Sequence, residues 1–159
     1  MSTQLKSRVP WREKLEKGDP RIVDIPPRME KTCGSGKMLI ARPLDVDSLI
    51  RRIPRGKLAT VAQIRESLAR AFSVNTTCPL TTGIFIRIAA EAAEEDMRQG
   101  AKSIAPYWRV VQADGRLNDK FPGGAAAQAR RLTEEGHAIE PGKGKTPRVK
   151  DFEKSLTKL

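Results

Sequence analysis

Apolar residues recur at helical spacing in three stretches of the chain. Val61, Ile64, Leu68 and Phe72 fall three or four residues apart, on one face of a helix, and Thr60 stands where its N-cap is needed. A polar connection over residues 73–77 and then Pro79 lead into a second helix predicted over residues 84–98, with Thr81 and Thr82 as its caps. Phe85, Ile88, Ala89 and Ala92 form the apolar face of that helix, and Arg87, Glu91, Glu94 and Arg98 lie along a polar stripe. Two helices joined by a turn have the outline of a helix-turn-helix. A third, Ala-rich helix opens after Pro122-Gly123-Gly124 and runs to about Glu135, with Gly136 as its stop.

A shorter helix capped by Asp45 or Asp47 and ending at Arg52 presents Val46, Leu49, Ile50 and Ile53, before Pro54-Arg55-Gly56 breaks it. Beyond Gly100 the pattern changes. Tyr107-Trp108-Arg109-Val110-Val111 favours strand, and Asp114-Gly115 signals a turn before Arg116-Leu117, so a small β-wing is expected. Residues 1–44 hold five of the eleven prolines, which leaves room for two helical turns from Trp11 to Lys17 and a short strand from Met38 to Ala41. The expected fold is mainly α with a small β-wing, as residues 45–137. A basic Pro/Gly-rich arm, residues 1–44, precedes it, and a basic tail, residues 138–159, follows. Both flanks are expected to be extended, with the run Gly142-Lys143-Gly144-Lys145-Thr146-Pro147 loose.

Charge sharpens this division. The 159 residues carry 30 Lys and Arg against 19 Asp and Glu, a net of +11. Residues 1–57 hold 14 basic and 7 acidic groups, residues 58–136 hold 10 and 9, and residues 137–159 hold 6 and 3. Basic flanks around a nearly neutral centre either keep the chain soluble or grip a polyanion by counterion release. The longest apolar runs fall short of the roughly 20 residues of a membrane span, and the N-terminal stretch has neither an apolar signal core nor an acid-poor transit composition, so a cytoplasmic location is expected. With Cys33, Cys78 and His137 as the only cysteines and histidine, zinc sites and Ser-His-Asp triads lack raw material. Cys33-Gly34-Ser35-Gly36-Lys37-Met38 lacks the spacing and the Ser or Thr of a phosphate-binding loop, and no cofactor is implied.

The run Ile53-Pro54-Arg55-Gly56-Lys57-Leu58-Ala59-Thr60, then Gln63-Ile64, Pro106, Arg109-Val110-Val111, Asp114-Gly115-Arg116-Leu117, Gly123-Gly124, and Leu132 with Glu135-Gly136, resembles the DNA-binding domain of the O6-alkylguanine-DNA alkyltransferases and alkyltransferase-like proteins. The resemblance covers about residues 45–137. It implies a winged helix-turn-helix that binds the minor groove, inserts an arginine finger and flips a damaged base into a pocket. The family's alkyl transfer needs a Cys thiolate activated through His and Glu, in a Pro-Cys-His-Arg-Val motif. Here that motif reads Pro106-Tyr107-Trp108-Arg109-Val110, so Tyr107 replaces the acceptor and Trp108 the activating His. A phenol with a pKa of about 10 is a poor acceptor at neutral pH. Alkyl transfer is therefore expected to be lost, with no catalytic residue left and Glu135 lacking a histidine to orient.

By the same resemblance the lesion pocket is Tyr107, Trp108, Lys120, Phe121 and Glu135. The DNA contacts are Arg87 as the finger, with Thr60, Gln63, Thr81, Gly123 and Gly124. Structural readings stand beside these: Thr60 and Thr81 as helix caps, Tyr107 and Trp108 as core packing, the glycines as a bare helix start. The acidic cluster Glu94-Glu95-Asp96 would have to point away from phosphate. Three departures from the family are visible: Val61 replaces a phosphate-contacting Tyr, about three residues are added before Pro106, and the loop before Gly123 is one residue longer. The implied function is a non-catalytic binder of alkylated or distorted duplex DNA, nucleoid-associated, that hands lesions to other repair proteins. The alternatives are a general DNA binder with a filled pocket, and a lesion-processing glycosylase or lyase using Glu135, Asp114 or Lys120.

Overall fold

The computed structural model describes residues 9–142, 144 and 146–159. The expectations for Lys143 and Lys145, and for the first eight residues of the arm, lie outside the described residues.

The centre of the fold is a pair of helices, α4 (Val61–Ala71) and α5 (Pro79–Arg98). Thr60 starts α4 as expected: its hydroxyl accepts from the Gln63 amide at 3.1 Å and the Gln63 side chain accepts from the Thr60 amide at 2.8 Å, a reciprocal capping box. Helix α5 starts five residues before its predicted start. Pro79 is its first helical residue, a position where a missing N–H costs nothing, and Thr82 lies inside the helix, donating to the Cys78 carbonyl at 2.7 Å. The two helices are not joined by a bare turn. Thr76–Thr77 form a short strand, β4, that pairs parallel to β2 (Lys37–Ile40), which in turn pairs antiparallel with β1 (Arg21–Asp24), the short helix α2 (Glu30–Cys33) lying between β1 and β2 in the chain.

The described residues before position 45, from residue 9 on, are therefore part of the packed body, a correction to the extended arm over that stretch. Helix α1 (Trp11–Glu16) lies on α5 and on α3 (Pro43–Ile50), and its Leu15 is fully buried in the main core with Leu39, Ala41, Val46, Ile50, Ile64 and Ile86. The physical reason is long-range packing: Leu15 meets Leu39 and Ala41, from the apolar run Met38–Ala41, only once α1 lies on α5 and α3. Helix α3 also begins earlier than expected. Arg42 is its N-cap residue, and Asp45, at the third helical position, accepts from the Arg42 amide at 3.0 Å. Asp47 is buried and paired with Arg51 at 2.8 Å.

The wing differs too. Tyr107–Arg109 form a 3-10 turn, and only Val110–Val111 are strand, β5, pairing parallel with β3 (Ala59–Thr60). The Asp114-Gly115 turn is present, with the Gln112 amide bonded to the Arg116 carbonyl at 2.9 Å. The strand partner beyond it comes from the tail: Arg116 bridges Arg148, and the Val149 amide donates to the Gly115 carbonyl at 3.0 Å. A Cβ on Gly115 would lie 2.4 Å from the Phe152 ring, so glycine is required there. Leu58 bridges Leu156, and Val149 and Phe152 complete a second core with Leu58, Val111, Leu117 and Leu132. The described part of the tail is thus packed rather than extended. Within it, β6 (Ile139–Glu140) pairs antiparallel with β7 (Arg148–Val149).

Helix α6 (Gly124–Glu134) ends as predicted. Gly136 takes φ +95°, its amide donates to the Thr133 carbonyl and the His137 amide to the Leu132 carbonyl, both at 3.0 Å, which is a Schellman stop.

Candidate functional site

Packing α5 and α6 against the Tyr107–Arg109 turn leaves a half-open cleft of about 790 Å³. Its walls include Tyr107, Trp108, Glu91, Glu94, Arg131 and Glu135, with Gly123 at the start of α6. The volume suits a small-molecule or base-sized occupant.

Trp108 is held by its partners. Its Nε1 donates to Glu135 Oε2 at 2.7 Å, and the same carboxylate accepts from Arg109 at 2.8 and 3.0 Å and from the Gly56 amide at 3.1 Å. Glu135 therefore does have groups to hold, contrary to expectation: the Trp108 indole, the Arg109 guanidinium and the Gly56 amide. Burial alone would raise the Glu135 carboxyl, but the bonds from Arg109, Trp108 and Gly56 outweigh it and hold it below the ordinary carboxylate value. Arg109 also donates to the Ile53 carbonyl at 2.7 Å, tying the turn to the end of α3.

Tyr107 is 3% exposed, with its ring edge-on to Phe121 at 5.2 Å and to Trp108 at 5.4 Å. Its hydroxyl donates to Glu94 Oε1 at 2.6 Å. Burial first, and then that bond, push the phenol far above its ordinary pKa. A neutral, committed phenol is a weak nucleophile. The same Glu94 oxygen accepts from Arg131 Nη2 at 2.7 Å, and the Arg131 guanidinium lies 4.2 Å from the centre of the Trp108 ring. Arg131 thus covers the indole as a planar cation.

The acidic cluster is engaged within the protein. Glu94 is taken by Tyr107 and Arg131, Glu95 accepts from the amides of Trp11 at 3.0 Å and Arg12 at 3.2 Å, and Asp96 pairs with Arg12. The cluster does not all point away from the cleft, since Glu94 lines it.

Of the predicted pocket residues, Tyr107, Trp108 and Glu135 come together. Phe121 and Lys120 do not: Phe121 is 3% exposed and packs behind Tyr107, and Lys120 is exposed in the loop before α6, outside the lining. Gly123 lines the cleft at φ +79°, where a Cβ would meet Ala127 at 2.5 Å, and Gly124 follows it at φ +73° as the first residue of α6. Thr60 is buried, with its hydroxyl spent on the helix cap, which removes it from any groove contact. Gln63 is spent as well, donating to the Thr157 carbonyl at 2.8 Å because the tail lies over the start of α4. Thr81 is half-buried and directs its hydroxyl at the Cys78 carbonyl. Arg87 is half-buried one turn before Glu91, and its Nε is buried without a partner among the described residues. Asp114 pairs with Arg116 on the turn, so Asp114, Lys120 and Glu135 do not converge on one site.

The sequence did not single out Arg131, Glu91, Arg55 or Arg130 as cleft residues. Glu91, Glu94 and Arg98 were visible as a stripe on the second helix, but that the stripe faces α6 rather than solvent depends on packing.

No family model matches the chain, and no curated protein matches it. Among solved structures the chain is similar to S. pombe Atl1 in complex with damaged DNA containing O6-carboxymethylguanine, at 20% identity and a TM-score of 0.50, over 74% of this chain and 94% of that one. S. pombe ATL in complex with DNA aligns at 19% identity and a TM-score of 0.47, with the same coverage. The likeness to Atl1 is one of fold.

Proposed function

We propose that this chain is a non-catalytic, alkyltransferase-like binder of duplex DNA that approaches the minor groove and captures a nucleotide displaced from an alkylated or distorted site. The observation that carries this reading is the open cleft beside Trp108, at the segment that resembles the family's reactive motif. The fold shared with Atl1, which was solved on damaged DNA, supports it. An indole face, a guanidinium plane and convergent carboxylates suit a flipped base, which is recognised by stacking and by hydrogen bonds to its edge. Arg87, half-buried on α5 and outside the cleft lining, is the residue assigned by the resemblance to displacing the base. The bound lesion would then pass to other repair proteins. Alkyl transfer is not part of the proposal, because Tyr107 is buried, neutral and bonded to Glu94.

The test is binding to a duplex carrying O6-methylguanine and to its unmodified match, across a salt series. Tighter binding to the modified duplex, with affinity falling as salt rises, is expected; equal affinity refutes lesion capture. A second reading has one observation in its favour: Tyr107 and Phe121 fill the reactive position with core packing. A general DNA binder of that kind would bind both duplexes alike and be indifferent to Trp108→Ala.

A further inference from the structure

Four glutamates line the cleft, and three are accounted for. Glu94 accepts from Tyr107 and Arg131, Glu135 accepts from Trp108, Arg109 and Gly56, and Glu134 is exposed. Glu91 is different. It is 7% exposed, and its carboxyl makes no hydrogen bond or ion pair with the described residues. Its oxygens are not sealed inside the fold but open to the cleft that Glu91 borders, where they are uncommitted and able to bond a ligand.

Resting on the base-capture reading above, we propose that Glu91 reads the Watson–Crick edge of a captured 2-aminopurine, either guanine or its O6-alkylated form. Guanine presents two adjacent donors there, N1–H and N2–H. An ionised carboxylate, which only accepts, matches that edge through both oxygens. Alkylation at O6 removes the N1 hydrogen, so the edge becomes one acceptor beside one donor. A neutral carboxyl, which donates from one oxygen and accepts at the other, matches this altered edge. The proton on Glu91 therefore decides which form of the base is complementary. Trp108 supplies the stacking plane, and the base takes the place over the indole that Arg131 now occupies.

The surroundings favour the neutral form at a higher pH than for a free glutamate. Burial raises the Glu91 carboxyl, Arg87 and Arg98 on the same helix oppose this, and Glu94 one turn on adds to it. Facing the same cleft are Tyr107 from the turn, Arg130, Arg131, Glu134 and Glu135 from α6, and Arg55 from the connection after α3. From the helices packed on α5, Arg12 of α1 is paired with Asp96, and Asp47 of α3 with Arg51. Tyr107 stays neutral throughout, so it does not titrate in competition.

The experiment measures affinity of the full chain for an O6-methylguanine duplex and its guanine match from about pH 8 to about pH 5, for the wild type, Glu91→Gln and Glu91→Ala. The wild-type ratio of modified to unmodified affinity is expected to rise on acidification, by an order of tenfold. Glu91→Gln, whose amide donates and accepts at every pH, is expected to keep a modified-base preference that is flat with pH. Glu91→Ala is expected to lose most of the preference. The wild-type slope should survive His137→Gln, which removes the other group titrating in this range. Matching circular dichroism melts establish that the variants fold. A preference that ignores both pH and Glu91 overturns this inference alone. No preference at any pH in any of the proteins overturns base capture and this inference with it.

Discussion

Glu135 and His137 sit two residues apart at the end of α6, and each makes the protein sensitive to acid in its own window. Glu135 compensates Arg109, whose side chain is only 13% exposed, so Glu135→Gln leaves a buried cation without its counter-charge. The expected cost is about 3–5 kcal/mol, read as a lower urea midpoint; a change below about 1 kcal/mol would mean that the pair behaves as a surface ion pair. His137 has a buried Nε2 with no partner among the described residues, and burial holds its pKa below the ordinary 6.5, against the pull of Glu135. Its folded pKa is depressed, so the unfolded chain takes up the proton first and stability falls as pH drops below about 6.5. Glu135 also has a depressed pKa, but its contribution is lost only as pH falls below the ordinary carboxylate value of 4.5. Melting temperature followed from pH 8 downwards should therefore decline in two stages. His137→Gln should remove the first stage and leave the second; an unchanged first stage assigns it to another group.

Elements whose signals are local were legible in the sequence. The α4 N-cap and the α6 stop each depend on residues close in sequence, and both were placed, by Thr60 and Gly136, whereas the part of Gln63 in the capping box was not read. The start of α5 was misplaced because Pro79 reads as a breaker before a helix, although the first turn accepts it. Strand partners distant in sequence were not legible. Val110–Val111 pair with Ala59–Thr60 some fifty residues earlier, and the Arg116 edge pairs with the tail. At the site, Tyr107, Trp108 and Glu135 were found through the motif they occupy, whereas Arg131 and Glu91 belong to the cleft only because α6 packs opposite α5. The same contrast explains the arm that proved to be core. Leu15→Ala is expected to destabilise the protein by about 2–5 kcal/mol, because it empties a fully buried position between α1, α3 and α5. An effect near zero in thermal or urea unfolding would return residues 11–16 to the status of a loose flank.

The charge of the whole molecule takes its meaning from where cations are left unmatched. The central segment is close to neutral, yet Asp96, Asp47, Glu94 and Glu135 are all compensated by arginines within the fold. Of the four glutamates at the cleft only Glu94 and Glu135 are compensated, and Glu91, Glu134, Arg55 and Arg130 line it without an ion pair of their own among the described residues. Arg55 does no more than donate to the Glu134 carbonyl at 3.3 Å, and Arg130 is exposed. On the proposed base-capture reading, these two cations of the cleft lining would hold phosphates beside the displaced nucleotide, a role that carries no information about the base itself. Replacing both with Gln should weaken binding to modified and unmodified duplexes by the same factor. The slope of log affinity against log salt should fall by roughly two, one unit for each phosphate no longer neutralised. The ratio between the duplexes should stay where it was, because the same reading assigns selectivity to Trp108 and Glu91. If instead the ratio collapses while the salt slope holds, these arginines contact the base, and the division of labour between rim and cleft is wrong.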